Sequence, residues 1–314
     1  MPEWSQVSLI DPSHFDAGGA YVAVDRHRLD DFKPYIFKTN DTGRNWTAIT
    51  NGIPDGAYVR AVRQDPKRRG LLYAGTELGV YVSFDDGGHW QSLQLNLPTS
   101  PIHDLVVKDD DLVVATHGRS FWVLDDLTPL HQLKPELANK SLHVFTPRPA
   151  YRWPGFGFPG SDELPPPKTE GQNPPTGAVI GFRLKDAPGK GDKSSLEILD
   201  SAGTVVRTFT PDAERRGDKW EPKKGANRFV WDMRYTVAED FPGMVIWGGL
   251  PSPRAVPGKY QARLKVGSHE ETVSFDVRPD PRSSASLSDQ EAQFQFLLSA
   301  RDKLTRSSAL NLRS

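Results

Sequence analysis

The sequence between Trp4 and about Val144 repeats one order of short apolar segments with a period of roughly 45 residues. The second copy is the clearest, and its four strand-like segments are residues 59–64, 71–76, 80–84 and 90–93. The first copy has the same order at 7–10, 21–24, 35–38 and 46–49, with a longer loop at 26–34. The third copy has it at 102–107, 112–116 and 121–124, with a weaker fourth segment at about 142–145. This internal repeat constrains the fold more than any single motif does.

A four-stranded unit that recurs every 40 to 45 residues or so is typical of the blades of a β-propeller. The 27 glycines and 27 prolines among 314 residues agree with this, because they favour tight turns over long helices. Propellers close with about four to eight blades, so three blades cannot form a ring, and each outer blade would leave one apolar sheet face uncovered. We therefore predict an all-β chain that begins, over residues 1–147, with three blades of an incomplete propeller.

The turn after the third strand of each copy carries a second repeat, with the pattern Ser/Thr-x-Asp-x-Gly-x-x-Trp. Its members are Thr39, Asp41, Gly43 and Trp46 in the first copy and Ser83, Asp85, Gly87 and Trp90 in the second. An Asp carboxylate can accept hydrogen bonds from the backbone of its own turn, Gly supplies a positive φ, and Trp returns to the apolar layer between sheets. We expect these residues to close the hairpins. Asp125-Asp126 stands at the matching place in the third copy, without the Gly and the Trp.

These two turns resemble the Asp-box, or bacterial neuraminidase (BNR) repeat, of sialidases, Asp-box xyloglucanases and the sortilin ectodomain. In those families the Asp-box is a structural turn on the face away from the substrate. The resemblance therefore implies that Asp41 and Asp85 are structural residues. It also implies that a ligand would bind at the other end of the blades.

Residues 116–126, 173–180 and 227–234 resemble stretches of large bacterial Asp-box glycosyl hydrolase-like or sortilin-like proteins. In those proteins many more blades precede this region. The resemblance implies that the chain is the C-terminal portion of a longer protein, completed by missing upstream blades or by a partner chain. Family members are generally exported, so the parent is expected to be secreted or periplasmic, and residues 1–20 show no signal peptide.

Residues 148–175 are rich in proline, glycine and aromatic residues, which excludes regular structure. The segment is either a linker or an ordered strap whose rings pack on the propeller, and the number of rings favours the strap. A third interpretation is a platform for stacking of a sugar ring, built from Trp153, Phe156 and Phe158.

Six alternating segments follow, at 178–184, 196–199, 205–209, 228–233, 260–266 and 272–277. Six or seven strands over residues 176–282 predict an immunoglobulin-like (Ig-like) β-sandwich. Residues 199–207, 227–232 and 256–260 resemble the Ig-like module of flagellar hook-capping proteins. That resemblance implies that Trp231 fills the core, that the stretch Pro-Gly-Lys-Tyr at 257–260 opens an edge strand, and that the module is a spacer or accessory domain.

The last segment, 283–314, predicts a short C-terminal helix. Residues 288–291, with the sequence Ser-Asp-Gln-Glu, have the pattern of a capping box at its start. The predicted apolar stripe of this helix consists of Ala292, Phe296, Ala300 and Leu304. We expect that stripe to pack against a partner.

Because strands alternate in direction, the turns between second and third strands lie at one rim of the blades, opposite the repeated turns. Glycoside hydrolysis needs two carboxyl groups about 5–5.5 Å or about 6.5–9.5 Å apart. The candidate catalytic carboxylates at this rim are Asp30, Asp31 and Glu77. The simpler interpretation of these residues is a solvated charged loop with local ion pairs.

Guanidinium groups and aromatic rings supply the candidate ligand-binding residues, because a guanidinium group can bind a carboxylate or a sugar hydroxyl. These candidates are Arg26, Arg28, Arg119 and Trp153. For Arg119, a role in tying its own turn is the simpler interpretation.

Composition removes several other classes of function. The chain has 39 Lys+Arg against 40 Asp+Glu, so nucleic acid is not an expected partner. It has no cysteine, and its eight histidines lack metal-ligand spacing, so no metal site is expected. The acidic run at 109–111 fits a Ca²⁺ site or, more simply, a solvated hairpin turn. We find no membrane-spanning apolar run, no nucleophile elbow and no phosphate- or dinucleotide-binding motif, so no cofactor is expected.

Two classes of function remain open at this point. The complete propeller is either a glycan hydrolase, as the family resemblance and the rim carboxylates suggest, or a scaffold that binds a polymer, peptide or protein, as the sortilin resemblance suggests. An enzyme that lacks half of its site has no preorganised catalytic groups. We therefore expect this chain not to be catalytic alone.

Overall fold

The computed structural model describes residues 1–153, 171–240, 244–245, 250 and 252–311. For residues 309–311 it describes the backbone alone. The chain divides into two compact units, Met1–His131 and Gln132–Ser314. The sequence-based division lay later, after residue 147. Predicted residues Phe156 and Phe158 of the stacking platform lie outside the described residues.

The first unit contains three antiparallel sheets, each with its strands in chain order. The first sheet consists of β1 (Gln6–Pro12), β2 (Ala20–Asp25), β3 (Ile36–Thr39) and β4 (Thr47–Ala48). The second sheet consists of β5 (Val59–Gln64), β6 (Leu72–Thr76), β7 (Gly79–Ser83) and β8 (Gln91–Ser92). The third sheet consists of β9 (Ile102–Lys108), β10 (Asp111–Thr116) and β11 (Phe121–Leu124). All eleven strands fall within or beside predicted segments.

The predicted fourth strand of the third sheet is wrong. β12 (Leu142–Val144) belongs to the second unit, where it pairs with β14 (Ala178–Leu184). The backbone N–H of Val144 also donates to the Glu271 carboxylate, at 2.8 Å. A three-residue apolar segment carries too little register information to choose between two sheets, and these longer-range contacts decide the pairing.

Apolar side chains fill both spaces between neighbouring sheets of the first unit. The first and second sheets enclose Ile36, Val59 and Trp90, and the second and third enclose Tyr73 and Leu105. Alternation along the strands places these residues on facing sheet surfaces. The fold of this unit is therefore a stack of meander sheets of the propeller-blade type.

The outward faces at the two ends of the stack differ. On the third sheet Val106, Phe121 and Val123 are exposed, at 49%, 75% and 51%. On the first sheet Val22 and Phe37 are buried, with Tyr35 and Trp46 packed against them, while Val7 and Ile10 are exposed. Each terminal sheet thus presents apolar side chains to solvent.

The two repeated turns have the same hydrogen bonds. In the second turn the Ser83 hydroxyl donates to Asp85 at 2.8 Å and accepts from the backbone N–H of Gly87 at 2.9 Å, and Asp85 accepts from the N–H of His89 at 2.8 Å. In the first turn the equivalent bonds join Thr39, Asp41, Gly43 and Asn45. Partial burial acts to raise the pKa of Asp85, but these hydrogen bonds outweigh it and hold the pKa below its ordinary value.

Each turn contains two consecutive residues in the left-handed region. They are Thr42 and Gly43 in the first turn, with φ of 61° and 85°, and Asp86 and Gly87 in the second, with φ of 63° and 88°. The backbone N–H of Asp86 donates to the carbonyl of Gly70 at 2.8 Å, and that of Thr42 donates to Gly18 at 2.9 Å. The turns are thus also fixed to the neighbouring hairpin.

A buried carboxylate organises the turn after β5. Asp65 is fully buried and accepts from Nε2 of His131 at 2.8 Å, from the Tyr73 hydroxyl at 3.2 Å, and from the backbone N–H groups of Lys67 and Arg68. Burial alone would raise its pKa, but the bond to His131 and the backbone donors outweigh it, so the pKa of Asp65 is lowered.

The second unit contains two sheets. A three-stranded sheet has the order β12, β14 and β17 (Gly225–Trp231). A five-stranded sheet has the order β13 (Ala150–Tyr151), β19 (His269–Arg278), β18 (Gly258–Val266), β15 (Ser194–Leu199) and β16 (Val205–Phe209). The pairing of β13 with β19 is parallel, and all other strand pairs of this unit are antiparallel.

Both sheets of the second unit contribute to one core around Trp231, which is fully buried. Its ring centroid lies 5.2 Å from that of Tyr260 and 6.1 Å from that of Phe275. The prediction that residues 257–260 open an edge strand is wrong, because β18 lies between β19 and β15. Alternate residues of β18, such as Tyr260 and Leu264, are buried in this core, as expected for an antiparallel strand with one face on the core.

A short helix, α1 (Thr128–Gln132), follows the third sheet. The C-terminal helix α2 (Leu287–Asn311) has 25 residues, so it is longer than predicted. Its cap lies two residues earlier than expected, where Ser286 and Asp289 exchange backbone-to-side-chain hydrogen bonds at 3.1 Å. The predicted stripe is also wrong, since Phe296 is 72% exposed whereas Phe294 is buried, with its ring 4.8 Å from that of Tyr235. Among the described residues, no helix has the length and apolar character needed to cross a membrane.

Replacement of Asp85 by alanine is expected to destabilise the first unit by about 1–2 kcal/mol, because the N–H of His89 and the hydroxyl of Ser83 lose their acceptor. Chemical denaturation followed by tryptophan fluorescence measures the change. The control Asp55→Ala removes an exposed carboxylate and should stay within about 0.5 kcal/mol of wild type. Equal effects of both variants would contradict the structural role.

Replacement of Asp65 by asparagine is expected to cost about 2–4 kcal/mol at pH 7. Since the folded-state pKa of Asp65 is lowered, its ionised carboxylate stabilises the fold at pH values above the unfolded pKa of about 3.9. This stabilisation is lost as the pH falls through the folded-state pKa. The difference between wild type and Asp65→Asn should therefore shrink in acid. Denaturation curves from pH 7 to pH 3 test this, with the exposed Asp16→Asn as control; a gap that does not narrow would refute it.

Candidate ligand-binding rim

One end of the first unit gathers the connections between second and third strands of all three sheets. This end, called the rim below, comprises residues 26–35, 77–78 and 117–120 and lies opposite the repeated turns. Antiparallel meanders place successive connections at alternate ends, so this arrangement follows directly from the strand order.

A β-bulge lies near the rim end of the first strand in all three sheets, and in the first sheet its extra residue is Ser8. Along β5 the pairing with β6 shifts between Val59 and Ala61, so Arg60 is the extra residue. Along β9 the pairing passes from Ile102 to Asp104, so His103 is the extra residue. A bulge redirects a side chain out of the strand alternation, and here it presents Arg60 and His103 at the same position of two neighbouring sheets.

Each bulged residue contacts the residue that follows the second strand of its own sheet. Nη2 of Arg60 donates to the Glu77 carboxylate at 3.0 Å and to the Tyr58 hydroxyl at 2.9 Å. In the third sheet the rings of His103 and His117 stack, with centroids 4.8 Å apart. Glu77 follows Thr76 at the end of β6, and His117 follows Thr116 at the end of β10. The same two positions are therefore occupied by an ion pair in the second sheet and by stacked imidazoles in the third.

Aromatic rings continue the rim toward the first sheet. The ring of His27 stacks on that of Tyr58 at 4.9 Å, and Phe32 lies 6.1 Å from the same ring. Nδ1 of His27 is 2.7 Å from the Asp25 carboxylate, at the end of β2. We call Asp25, His27, Tyr58, Arg60, Glu77, His103 and His117 the rim cluster.

The charges of the rim cluster act on one another. Burial and then the positive charge of Arg60 lower the pKa of His103. Burial and then the hydrogen bond with Glu77 raise the pKa of Tyr58. The cluster is thus a set of coupled hydrogen-bond donors and acceptors that spans three sheets.

The predicted residues of the long rim loop form a local network. Asp31 accepts from Nε of Arg26 and from the Tyr35 hydroxyl, both at 2.9 Å. Partial burial acts to raise the pKa of Asp31, but the hydrogen bonds from Tyr35 and Arg26 outweigh it, so the pKa is lowered. Arg28 and Asp30 are exposed, and Asp30 ends a short 3₁₀ helix with φ of 59°. The structure gives Asp31 a contact with Arg26, and Glu77 a contact with Arg60.

Arg119 makes its contacts through its main chain. Its N–H donates to the Thr116 hydroxyl at 3.1 Å, and its carbonyl accepts from the indole of Trp122 at 2.8 Å. The residue is exposed. It thus closes the turn between β10 and β11 with its backbone.

Trp153 lies in the second unit. The guanidinium carbon of Arg282 is 4.4 Å from the centre of its ring, and its carbonyl accepts from Arg254. Its ring also lies 5.7 Å from that of Tyr151. Within the described residues these contacts associate Trp153 with its own unit.

The sequence-based candidates do not include Asp25, Tyr58, Arg60 or His103. The repeat contains a usable signal for two of them, because Arg60 and His103 are the second residues of matching apolar strands. The bulges themselves are not visible in the sequence. Among the described residues, no group of three or more histidine or acidic side chains is placed to hold a metal ion.

An open crevice of about 480 Å³ lies beside the long rim loop. Its walls are Met1, Pro2, Lys33, Pro34, Tyr35, Ile36, Phe37, Ala48, Thr50, Ile53 and Asp55. Tyr35 joins this crevice to Asp31 through its hydroxyl. The crevice is large enough for a small ligand and has mostly apolar walls.

No family model matches the sequence, and no curated protein matches it. Among solved structures the chain is similar to an ancestral GH74 enzyme, with 20% identity over 36% of this chain and 14% of that chain and a TM-score of 0.30. It is similar to the GH74 xyloglucanase from Xanthomonas campestris, with 14% identity over 85% of this chain and 38% of that chain and a TM-score of 0.30.

The chain is also similar to YCF48 bound to D1 peptide, with 12% identity over 87% of this chain and 67% of that chain and a TM-score of 0.29. The match covers well under half the length of either GH74 enzyme. Similarities this low carry no argument about activity, and the mostly β, propeller-like fold rests on the strand pairing described above.

Replacement of Arg60 by glutamine should raise the pKa of His103, because a positive charge beside the imidazole is removed. Replacement of Glu77 by glutamine should lower it, because a negative charge is removed. Titration of the His103 ring by NMR measures both. Arg69→Gln, whose partner Asp16 lies beyond the other end of the strands, serves as control. Shifts of the same sign in the two rim variants would contradict the coupling.

Proposed function

We propose that this chain is the C-terminal part of an exported Asp-box propeller protein of the glycosyl hydrolase-like kind, directed at carbohydrate. The observation that supports the proposal is the rim cluster, at the end of the strands opposite the repeated turns. There the β-bulges present Arg60 and His103 near the stacked rings of His27 and Tyr58. Sugar recognition combines hydroxyl-binding donors and acceptors with apolar ring surfaces, and the rim supplies both.

We propose that this chain alone binds carbohydrate but does not cleave it. A glycosidase needs one carboxyl group that holds a proton near neutral pH. Asp31 has a lowered pKa, and Glu77 is paired with the guanidinium of Arg60, at 3.0 Å. Asp31 thus fits the role of a hydrogen-bond acceptor better than that of a general acid, and Glu77 orients the guanidinium of Arg60.

The terminal sheets support the proposal that further blades complete the propeller. Val7, Ile10, Phe121 and Val123 are exposed on the outward faces of the first and third sheets. A neighbouring blade would cover such faces as the second sheet covers its two neighbours. The upstream part of a longer exported protein is the proposed source of those blades.

The second candidate function is a non-catalytic scaffold that binds a polypeptide. The observation that favours it is β11, whose single partner within the described residues is β10, whereas β3 and β7 each have two. An open strand edge beside exposed apolar side chains can accept an extended peptide. This edge lies on the third sheet, so its ligand would not need the rim cluster.

Calorimetric titration of this chain with neutral and uronic-acid-containing oligosaccharides tests the carbohydrate proposal. We expect saturable binding that weakens at least about tenfold in Arg60→Gln and His117→Ala, which corresponds to about 1.4 kcal/mol. Arg263→Gln, which removes an ion pair with Glu197 in the second unit, should bind as wild type does. Binding that persists in both rim variants would exclude the rim as the site.

Catalysis is tested separately in the full-length parent. Turnover on polysaccharides should be compared between wild type and Asp30→Asn, Asp31→Asn and Glu77→Gln. Unchanged turnover in all three would remove these residues from the mechanism. A fall in kcat at unchanged KM, confined to one variant, would identify that residue as catalytic and contradict the binding role given to these carboxylates. Saturable hydrolysis by the parent would also exclude the pure scaffold.

A further inference from the structure

Two arginines face each other across a β-bridge in the second unit. Arg234 and Arg254 are antiparallel partners, flanked by hydrogen bonds from Tyr235 N–H to the carbonyl of Pro253 at 2.9 Å and from Ala255 N–H to that of Met233 at 2.7 Å. Directly opposed residues of an antiparallel pair have their side chains on the same face, with Cβ atoms about 5 Å apart, and like charges there are destabilising. The bridge therefore holds two positive charges together.

A third arginine joins this pair. Nε of Arg152 donates to the carbonyl of Ala255, next to Arg254, at 2.9 Å, and its Nη1 donates to Gln290 of α2 at 3.2 Å. Burial, followed by the positive charges of Arg152 and Arg234, lowers the pKa of Arg254. Arg254 thus lies close enough to the guanidinium groups of Arg152 and Arg234 to be repelled by both.

None of the three has a carboxylate partner among the residues that the structure describes. Arg234 donates to the carbonyl of Ser252 at 2.9 Å, and Arg254 donates to that of Trp153. The acid nearest in sequence, Asp232, accepts from the guanidinium of Arg207 and from the backbone N–H of Arg234, both at 3.0 Å. Its carboxylate is therefore already engaged.

Two buried polar atoms at this place lack hydrogen-bond partners in the described structure. They are Nε of Arg254 and the hydroxyl oxygen of Ser252, a residue that is only 6% exposed. A buried donor without an acceptor destabilises the folded state, and such groups are uncommon in folded proteins. Both groups can donate, and both lie beside positive charge that the Asp232 carboxylate offsets only in part, so an anion would satisfy them together.

We propose that Arg152, Arg234, Arg254 and Ser252 form a binding site for an oxyanion, that is, a carboxylate, sulfate or phosphate group. Guanidinium groups bind such groups with two parallel hydrogen bonds, and the serine hydroxyl adds a neutral donor. Arg234 is exposed, so the site is open to solvent on that side. The site lies in the second unit and does not depend on the carbohydrate proposal for the rim.

The oxyanion is either a free inorganic ion or a group on a larger ligand, and the probes distinguish the two. The chain is titrated by calorimetry with sodium sulfate, sodium phosphate and sodium galacturonate, at ionic strength matched with sodium chloride. Thermal unfolding is measured in the same solutions. We expect saturable binding and a Tm that rises by several degrees, about 2–5 °C at saturation. Stronger binding of galacturonate indicates a carboxylate on a sugar, and stronger binding of the inorganic ions indicates a free ion.

Two variants separate an anion site from a structural cluster. Ser252→Ala removes a hydroxyl without a partner, so it should leave Tm in chloride unchanged within about 1 °C and weaken anion binding severalfold. Arg234→Gln removes one of two opposed charges, so it should raise Tm in chloride by about 1–3 °C and abolish the anion-dependent rise. Arg263→Gln, which removes an arginine paired with Glu197, should keep that rise.

Sulfate stabilises most proteins by exclusion from their surface, so a rise that is equal in wild type and in both variants would overturn the proposal. Absence of saturable heat with all three salts would overturn it as well. A fall in the chloride Tm of Arg234→Gln would show that this arginine stabilises the bridge, which contradicts the repulsion on which the site is argued.

Discussion

The indole of Trp90 joins the second repeated turn to the first sheet, and the stacking of the first unit depends on it. Its Nε1 donates to the carbonyl of Ile49 at 2.7 Å, and its backbone N–H donates to that of Asn51 at 2.8 Å. The ring is buried between the sheets. One residue therefore closes its own hairpin, fills the space between two blades and satisfies backbone groups of the preceding one.

The strands of both units could be predicted because their signals are local. Alternation of apolar residues fixes which segments become strands, and tight turns pair neighbours along the chain. The failures concern contacts between distant segments. Leu142–Val144 pairs with a strand that follows it by more than thirty residues, and the buried face of α2 is set by contact with Tyr235. Nothing in a three-residue strand or a weakly amphipathic helix encodes such a choice.

The position of the rim could be predicted from the sequence, but the contacts of its side chains could be predicted only in part. The rim location follows from strand direction, and Glu77 lies in the cluster there. Arg60 and His103 were missed because a residue inside an alternating strand is normally assigned to one sheet face, and only the bulge redirects it. Arg26 and Asp31 illustrate the opposite case, since opposite charges five residues apart in a loop formed the local ion pair that the simpler interpretation expects. Trp153 belongs to another unit, which no motif indicated.

The equivalence of Arg60 with His103, and of Glu77 with His117, has a consequence for how such a rim can diversify. The backbone geometry at these positions is determined by the bulge and by the threonine that ends the second strand, whose hydroxyl bonds back to the turn in both sheets. The outward side chains are therefore largely released from folding constraints. Each repeat can therefore carry its own pair of side chains on an unaltered backbone, while the charge of Arg60 still acts on His103 in the neighbouring sheet.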